Sequence, residues 1–334
     1  MRTSFGDLAL SNVLRNSTAG AKTDMMRHAQ EMTTGQTSSP SRHLRGDLTA
    51  VSAIDQRLAM LAGHVHVTRA AGLKFEAMQA GLTRIFESGE ALAVQMRLAL
   101  QSNLPGALDT TAGLARGAFD DAVATLNLQV AGRSIFAGTA PENPALVSSE
   151  TILFALQSAV ATQPDVPTLV QAVKDWFADP AGFAQTSYLG APAQTAPIRL
   201  SPEATAPAPE TALAPEITAH LAALALGALM ESTPQAATPQ ARAALAEAGS
   251  DALLKSQGGL IALQARSGTS EARVAGAEAR NEAETTALTL ARADLMGVDP
   301  FEAATRLEQA RGQIEALYTL TARLSRLSLL EYLR

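Results

Sequence analysis

The sequence predicts a mainly α fold, an elongated multi-helix rod or coiled-coil bundle formed by both termini, with a small mixed α/β insert domain. Three observations predict it. Apolar residues fill 47% of the 334 positions, yet aromatics supply only 4%, with the single tryptophan Trp176. Most of that apolar share is Ala, which loses no rotamers in a helix, and Leu, which fills narrow helix–helix seams. At both ends of the chain apolar residues recur at alternating spacings of three and four, the period of a coiled-coil seam. Finally, most of the 16 prolines gather between Ser148 and Gly249, so the helix breakers are concentrated in the middle.

The first element reads as a helix over Asp7–Met32, with Leu10, Leu14, Ser17, Ala21, Met25, His28 and Met32 in seam register. Gly35 supplies its stop, and Thr37–Ser41 reads as a connector. A second helical pattern runs over Arg42–Ser102 through Leu44, Leu48, Val51, Ile54, Leu58, Leu61 and Val65. A continuous helix of that length would extend roughly 90 Å. Asn103-Leu104-Pro105-Gly106 ends it with turn residues. A third helix carries Leu108, Ala112, Ala115, Phe119, Ala122, Leu126 and Val130 and stops at Gly132.

In the middle block, short helices are expected at Ser149–Ala161 and Thr168–Ala178, and a hairpin of Phe183–Tyr188 with Ala196–Leu200 around Gly190. Pro202–Pro215 reads as an extended linker and Glu216–Met230 as a helix. Helical periodicity resumes at Leu253 and passes Leu260, Leu263, Val274 and Leu288 to Leu295. Gly297-Val298-Asp299-Pro300 predicts a left-handed C-cap at Gly297, an N-cap at Asp299 and a capping box with Glu302. The last helix places Leu307, Ala310, Ile314, Leu317, Thr321 and Leu324 in one seam, widened by Leu320 and Leu327.

Composition excludes several functions. With no cysteine there are no disulfides, thiolate metal sites or cysteine nucleophiles. A net charge of −6, no basic block and few aromatics for base stacking argue against nucleic acid as partner. The longest apolar run, Leu221–Met230 with Gly227 inside it, is about half what a bilayer needs. The opening residues lack the apolar core of a signal peptide, so export without a cleaved signal, or none, is expected. His64 and His66 stand two apart on a helix, where their rings diverge by about 200° and cannot share an ion. Glu282 and Glu284 read as a solvated face, and Trp176 with Phe177 as the small core of the insert. No phosphate-cradling loop or nucleophile elbow occurs, so no catalytic, cofactor or metal site is assigned.

Both ends instead carry apolar seams, and a large apolar side chain left wet forfeits about 1.5–3 kcal/mol. The expectation is that neighbouring copies cover them. The candidate assembly-interface residues are Leu10, Leu14, Ala21, Met25, Leu317, Leu324 and Leu327.

Four stretches resemble the flagellin superfamily. Met1-Arg2-Thr3-Ser4 is similar to the opening of its hook-associated junction proteins. Met32-Thr33-Thr34-Gly35, followed by Pro40-Ser41, resembles its Ser-Thr-Gly turn and Pro-Ser. Gly132–Thr139 is similar to its Gly-Arg-Tyr-hydrophobe-Phe-Ala-Gly stretch, and Leu327-Ser328-Leu329-Leu330 to its C-terminal signature. One departure is plain: where the family has an acidic pair and proline after Pro-Ser, this chain has Arg42-His43-Leu44. The resemblance implies an extracellular structural subunit of the bacterial flagellum, passed unfolded through the flagellar export channel and packing its terminal helices as coiled coils. It implies self-association in a ring or helical assembly, with a neighbouring hook-associated protein, flagellin and an export chaperone as further partners, and no cofactor, membrane or small-molecule substrate. The short turn after the first helix favours a hook–filament junction protein. Filament flagellin is the alternative, and a cytosolic coiled-coil scaffold the alternative of a different class. The expected partition is 1–35 with 298–334 as assembly helices, 36–145 with 250–297 as helical core, and 146–249 as a variable insert.

Overall fold

The computed structural model describes residues 5–102, 106–191 and 196–332, with side chains over 9–102, 106–191 and 196–324. The opening Met1–Ser4, the stop at Asn103–Pro105 and the side chains of Leu327–Leu330 lie outside the described residues. The fold is mainly α, with long helices and two small hairpins. In order the elements are α1 (Phe5–Thr34), α2 (Pro40–His43), α3 (Thr49–Gln101), α4 (Ala107–Leu126), β1 (Gln129–Val130), β2 (Arg133–Ser134), α5 (Ser149–Val160), α6 (Val166–Ala178) and α7 (Gln185–Ser187). Then come β3 (Ile198–Arg199), β4 (Thr205–Ala206), α8 (Pro215–Ser232), α9 (Pro239–Met296) and α10 (Pro300–Tyr332). The chain divides into two units, residues 1–61 with 283–334, and residues 62–282.

Several expected boundaries move, each for a local reason. The helix expected over Arg42–Ser102 is interrupted after His43, where Arg45 (φ 54°) and Gly46 (φ 90°) turn left-handed before α3 begins. The third helix ends at Leu126, short of Val130 and the expected stop at Gly132, because Asn127 takes over: its side-chain amide donates to the Leu146 carbonyl at 3.0 Å and its Oδ1 accepts from the Leu146 N–H at 2.7 Å. The following residues form the antiparallel β1–β2 hairpin, whose two-residue turn, Ala131 (φ 50°) and Gly132 (φ 74°), has the positive φ at both positions that suits strand twist. Among the described residues no hairpin forms around Gly190. Ile198–Arg199 pairs instead with Thr205–Ala206, drawn from the stretch expected to be a linker. α9 starts at Pro239, well before Leu253, since the Ala-rich stretch from Ala241 continues the helix with Leu245 as its one long apolar side chain, too few to show a period.

The core of the 62–282 unit is built around α8. A helix apolar on every side belongs inside a protein, and α8 is buried from Ile217 to Met230 apart from Ala219. It packs against α4, α6 and α5. Its approach to α4 is close because residue 227 is glycine: a Cβ there would stand 2.7 Å from the Cβ of Ala115. Phe119 and Leu126 of α4 and Ile135 and Phe136 after β2 join the same core, so the Gly132–Thr139 stretch is a core element as well as a connector. Trp176, Phe177 and Phe183 form an aromatic cluster, with ring centroids 4.9–5.9 Å apart. A second, smaller core joins Ala71, Phe75, Val274 and Ala277 to Leu200 and Ala206 of the β3–β4 hairpin, and the buried Asn281 donates to the Leu200 carbonyl at 3.1 Å.

Candidate assembly interface

The terminal helices are paired by a backbone clasp in the unit of residues 1–61 and 283–334. Gly35 (φ 68°) ends α1 in a left-handed C-cap, its N–H bonding the Glu31 carbonyl at 2.8 Å. The chain then forms an antiparallel bridge, Gln36 to Gly297, flanked by Thr37 N–H to the Met296 carbonyl at 2.8 Å and Val298 N–H to the Gly35 carbonyl at 3.0 Å. Gly297 therefore spends its backbone on pairing with the turn after α1, and a positive φ occurs at Gly35 and not there. Asp299 does cap α10, accepting from the Phe301 N–H at 2.8 Å, with Pro300 in the first turn where a missing N–H costs nothing. Glu302 does not close a capping box. It pairs with Arg306 one turn on.

Beside the clasp sits a polar tie that the seam pattern did not single out. Glu31 is buried; its Oε1 accepts from the Ser38 N–H at 3.0 Å and its Oε2 lies 2.9 Å from His28 Nδ1. Burial pushes its pKa up, but the Ser38 bond, the His28 bond and the charges of His28 and Arg27 together outweigh that and hold it below the usual value. The sequence signal was His28-x-x-Glu31, an acid three residues from a seam histidine.

From the clasp, α1 and α10 run antiparallel along each other, with Lys22 Nζ 5.6 Å from the Tyr318 ring centroid. Of the seven candidate residues, Ala21 is buried in this seam, Leu14, Met25, Leu317 and Leu324 are half-buried, and Leu10 is 44% exposed. The side chain of Leu327 lies outside the described residues. The opposing face of α10 buries Ala303, Ala310 and Ile314. Small residues at 21, 303 and 310 make the seam close but narrow. Ser17 and Met32, expected inside it, are exposed, and Glu31 is buried in place of Met32.

What the pair leaves uncovered is the informative part. Leu10, Val13, Met26, Met32, Phe301, Tyr318 and Leu320 all stay 44–81% exposed. At 100° per residue, Tyr318 and Leu320 flank the α10 seam on either side, while Phe301 points away from it. In the same unit, α3 and α9 are joined by Arg57–Glu284 and Arg292–Asp55 ion pairs, both at 2.6 Å. Glu284 is thus a salt-bridge partner whose pKa the Arg57 hydrogen bond lowers. Such exposed pairs contribute little energy. His64 is half-buried and His66 exposed; among the described residues no group of three or more potential ligands could hold a metal. Among them, too, no helix is long and apolar enough to cross a membrane.

Residues 257–333 match the family model of the bacterial flagellin C-terminal helical region. The matched stretch takes in the later part of α9, the Gly297 turn and α10, which includes the half of the helix pair that carries Ile314, Leu317 and Leu324. No curated protein matches the chain. Over that region the chain is similar to structural, non-enzymatic subunits that are exported and self-assemble into the flagellar polymer.

Proposed function

We propose that this protein is an extracellular structural subunit of the bacterial flagellum, placed at the junction between hook and filament and polymerising through α1 and α10. The observation that carries the reading is the conjunction of the flagellin-type match over 257–333 with a terminal helix pair whose large apolar side chains remain exposed. An isolated two-helix pair is marginal against its own ordering entropy. Further copies that cover Leu10, Val13, Tyr318 and Leu320 supply the missing burial. In this reading 1–35 and 298–334 are the assembly helices, 36–145 with 250–297 the surrounding core, and 146–249 the part turned to solvent. Its neighbours are a further hook-associated protein and flagellin, and an export chaperone holds the chain before it leaves the cell unfolded. The short turn between α1 and α2, which lacks the longer Asn- and acid-rich form of filament flagellins, favours the junction position, and the chain resembles hook-associated protein 3 in this respect.

Immunogold microscopy on intact source cells tests it. Gold at a single spot at the base of each filament is the expected result. Label along the whole filament would make the protein a filament flagellin, and protein found only inside the cell would return it to the class of cytosolic coiled-coil scaffolds.

A further inference from the structure

The 62–282 unit carries both an uncommitted knob and an uncommitted groove. The groove, about 920 Å³, lies between α6, α8, α9 and the turn at Pro180–Ala184, with Val170, Phe177, Leu213 and Ala219 among its walls. That size and apolar lining are those of a site built to receive something. Four charged side chains stand around it, and they are not equivalent. Asp251 is paired with Arg97 at 3.1 Å, and Asp179 accepts from the Ala181 N–H at 2.9 Å. Among the described residues neither Lys174 nor Lys255 has an ion-pair partner. With Asp251 offset by Arg97, two lysines stand against the carboxylate of Asp179, so the net charge at the groove is positive.

The knob is on α5. Ile152, Leu153, Leu156 and Val160 anchor one side of that helix in the core, which fixes Phe154 on the other side, 71% exposed. One turn before Phe154 is the exposed Glu150, also without an ion-pair partner among the described residues. Phe154 does not line the groove, and its helix is held by its buried side, so a chain does not fill its own groove with its own knob.

We infer that the groove of one copy receives Phe154 of a second copy, with Glu150 of that copy facing Lys174 and Lys255. The inference rests on the self-assembling part of the proposed function, and adds to the terminal helices a second contact. A knob on one face and a groove on another give a head-to-tail contact, the kind that propagates into rings or helices rather than closing a dimer. An exposed aromatic seated in an apolar pocket with flanking opposite charges has the make-up of an interface anchor.

The absence of cysteine makes the test clean. Full-length Ser158→Cys, one turn beyond Phe154 on its exposed side, is mixed with full-length Ala219→Cys, and the mixture is mildly oxidised. A disulfide joining 158 of one chain to 219 of the other is expected. Adding Phe154→Ala to the first chain lowers its yield by about tenfold or more, without altering the circular dichroism of an exposed position. Glu150→Lys lowers it too, and Lys174→Glu with Lys255→Glu in the partner restores it. No mixed disulfide at any soluble concentration, or a yield indifferent to Phe154→Ala, overturns the inference. So does native mass spectrometry showing a small amphiphile held in the groove. Sedimentation of the same mixtures separates the two ideas: polymer that pellets without the 158–219 link removes this contact and leaves assembly through the terminal helices standing.

Discussion

At the scale of single residues, His220 is closely constrained. It is fully buried on α8, its Nδ1 2.8 Å from Ser256 Oγ, with Ser256 donating in turn to the Leu253 carbonyl at 2.8 Å. Burial lowers its pKa from 6.5 to about 4, against a smaller opposing pull from the Ile85 backbone. The folded protein thus keeps this histidine neutral where the unfolded chain protonates it. Between pH 6.5 and 4 the unfolded state binds the extra proton, so stability falls as pH drops through that window, by about 3 kcal/mol in total. Denaturant titrations at pH 7 and pH 4.5 measure this loss, and His220→Gln is expected to remove this part of it. The ring fits only because residue 89 is glycine, since a Cβ there would lie 2.4 Å from His220 Cε1 and Nε2. Gly89→Ala is expected to destabilise the protein by about 1–3 kcal/mol. Much of that cost should disappear in a His220→Ala background, a coupling that a double-mutant cycle reads directly.

Among the elements, α10 is where assembly and folding separate. Leu324 is half-buried along α1, near the end of a helix whose neighbouring turns keep Tyr318 and Leu320 exposed. Leu324→Asp should leave the far-ultraviolet circular dichroism of the monomer nearly unchanged, because the helix is anchored by the Gly35–Val298 clasp and by Ala303, Ala310 and Ile314. The same change puts a charge into the seam that neighbours are proposed to complete, so incorporation into polymer should be abolished. A variant that pellets like the unaltered chain would dismiss α10 as an assembly element.

For the molecule as a whole, the two units differ in how burial is supplied. The 62–282 unit encloses a helix, α8, with aliphatic residues on every face, whereas the terminal pair buries one narrow stripe. Removing residues 146–249 therefore does more than trim a solvent-facing part. It deletes α8, and leaves Ala112, Ala115 and Phe119 of α4 without the helix they pack against. The shortened chain is expected to lose its cooperative thermal transition and to bind a hydrophobic dye, measured by calorimetry and dye fluorescence. A sharp transition retained in the shortened chain would mean that α4 finds other cover.

The sequence by itself determined the helical class, the terminal seams and the cap at Asp299, because these depend on spacing and on side chains within a turn of each other. Leu14 and Ala21 on α1, and Ile314 and Leu317 on α10, were each legible as a helix face for that reason, and α8 announced itself as a nearly unbroken apolar run interrupted by Gly227. Only the tertiary structure decided which glycine turns left-handed, since Gly297 and Gly35 look alike until the bridge between their turns commits the backbone of one. It also decided that Asn127 ends α4 by bonding Leu146, that β3 pairs with β4 and not across Gly190, and that His220 lies over Gly89. These choices bring together residues separated by several to more than two hundred positions. Local propensity is blind at that distance, and the free energy that settles them exists only once the two segments are packed.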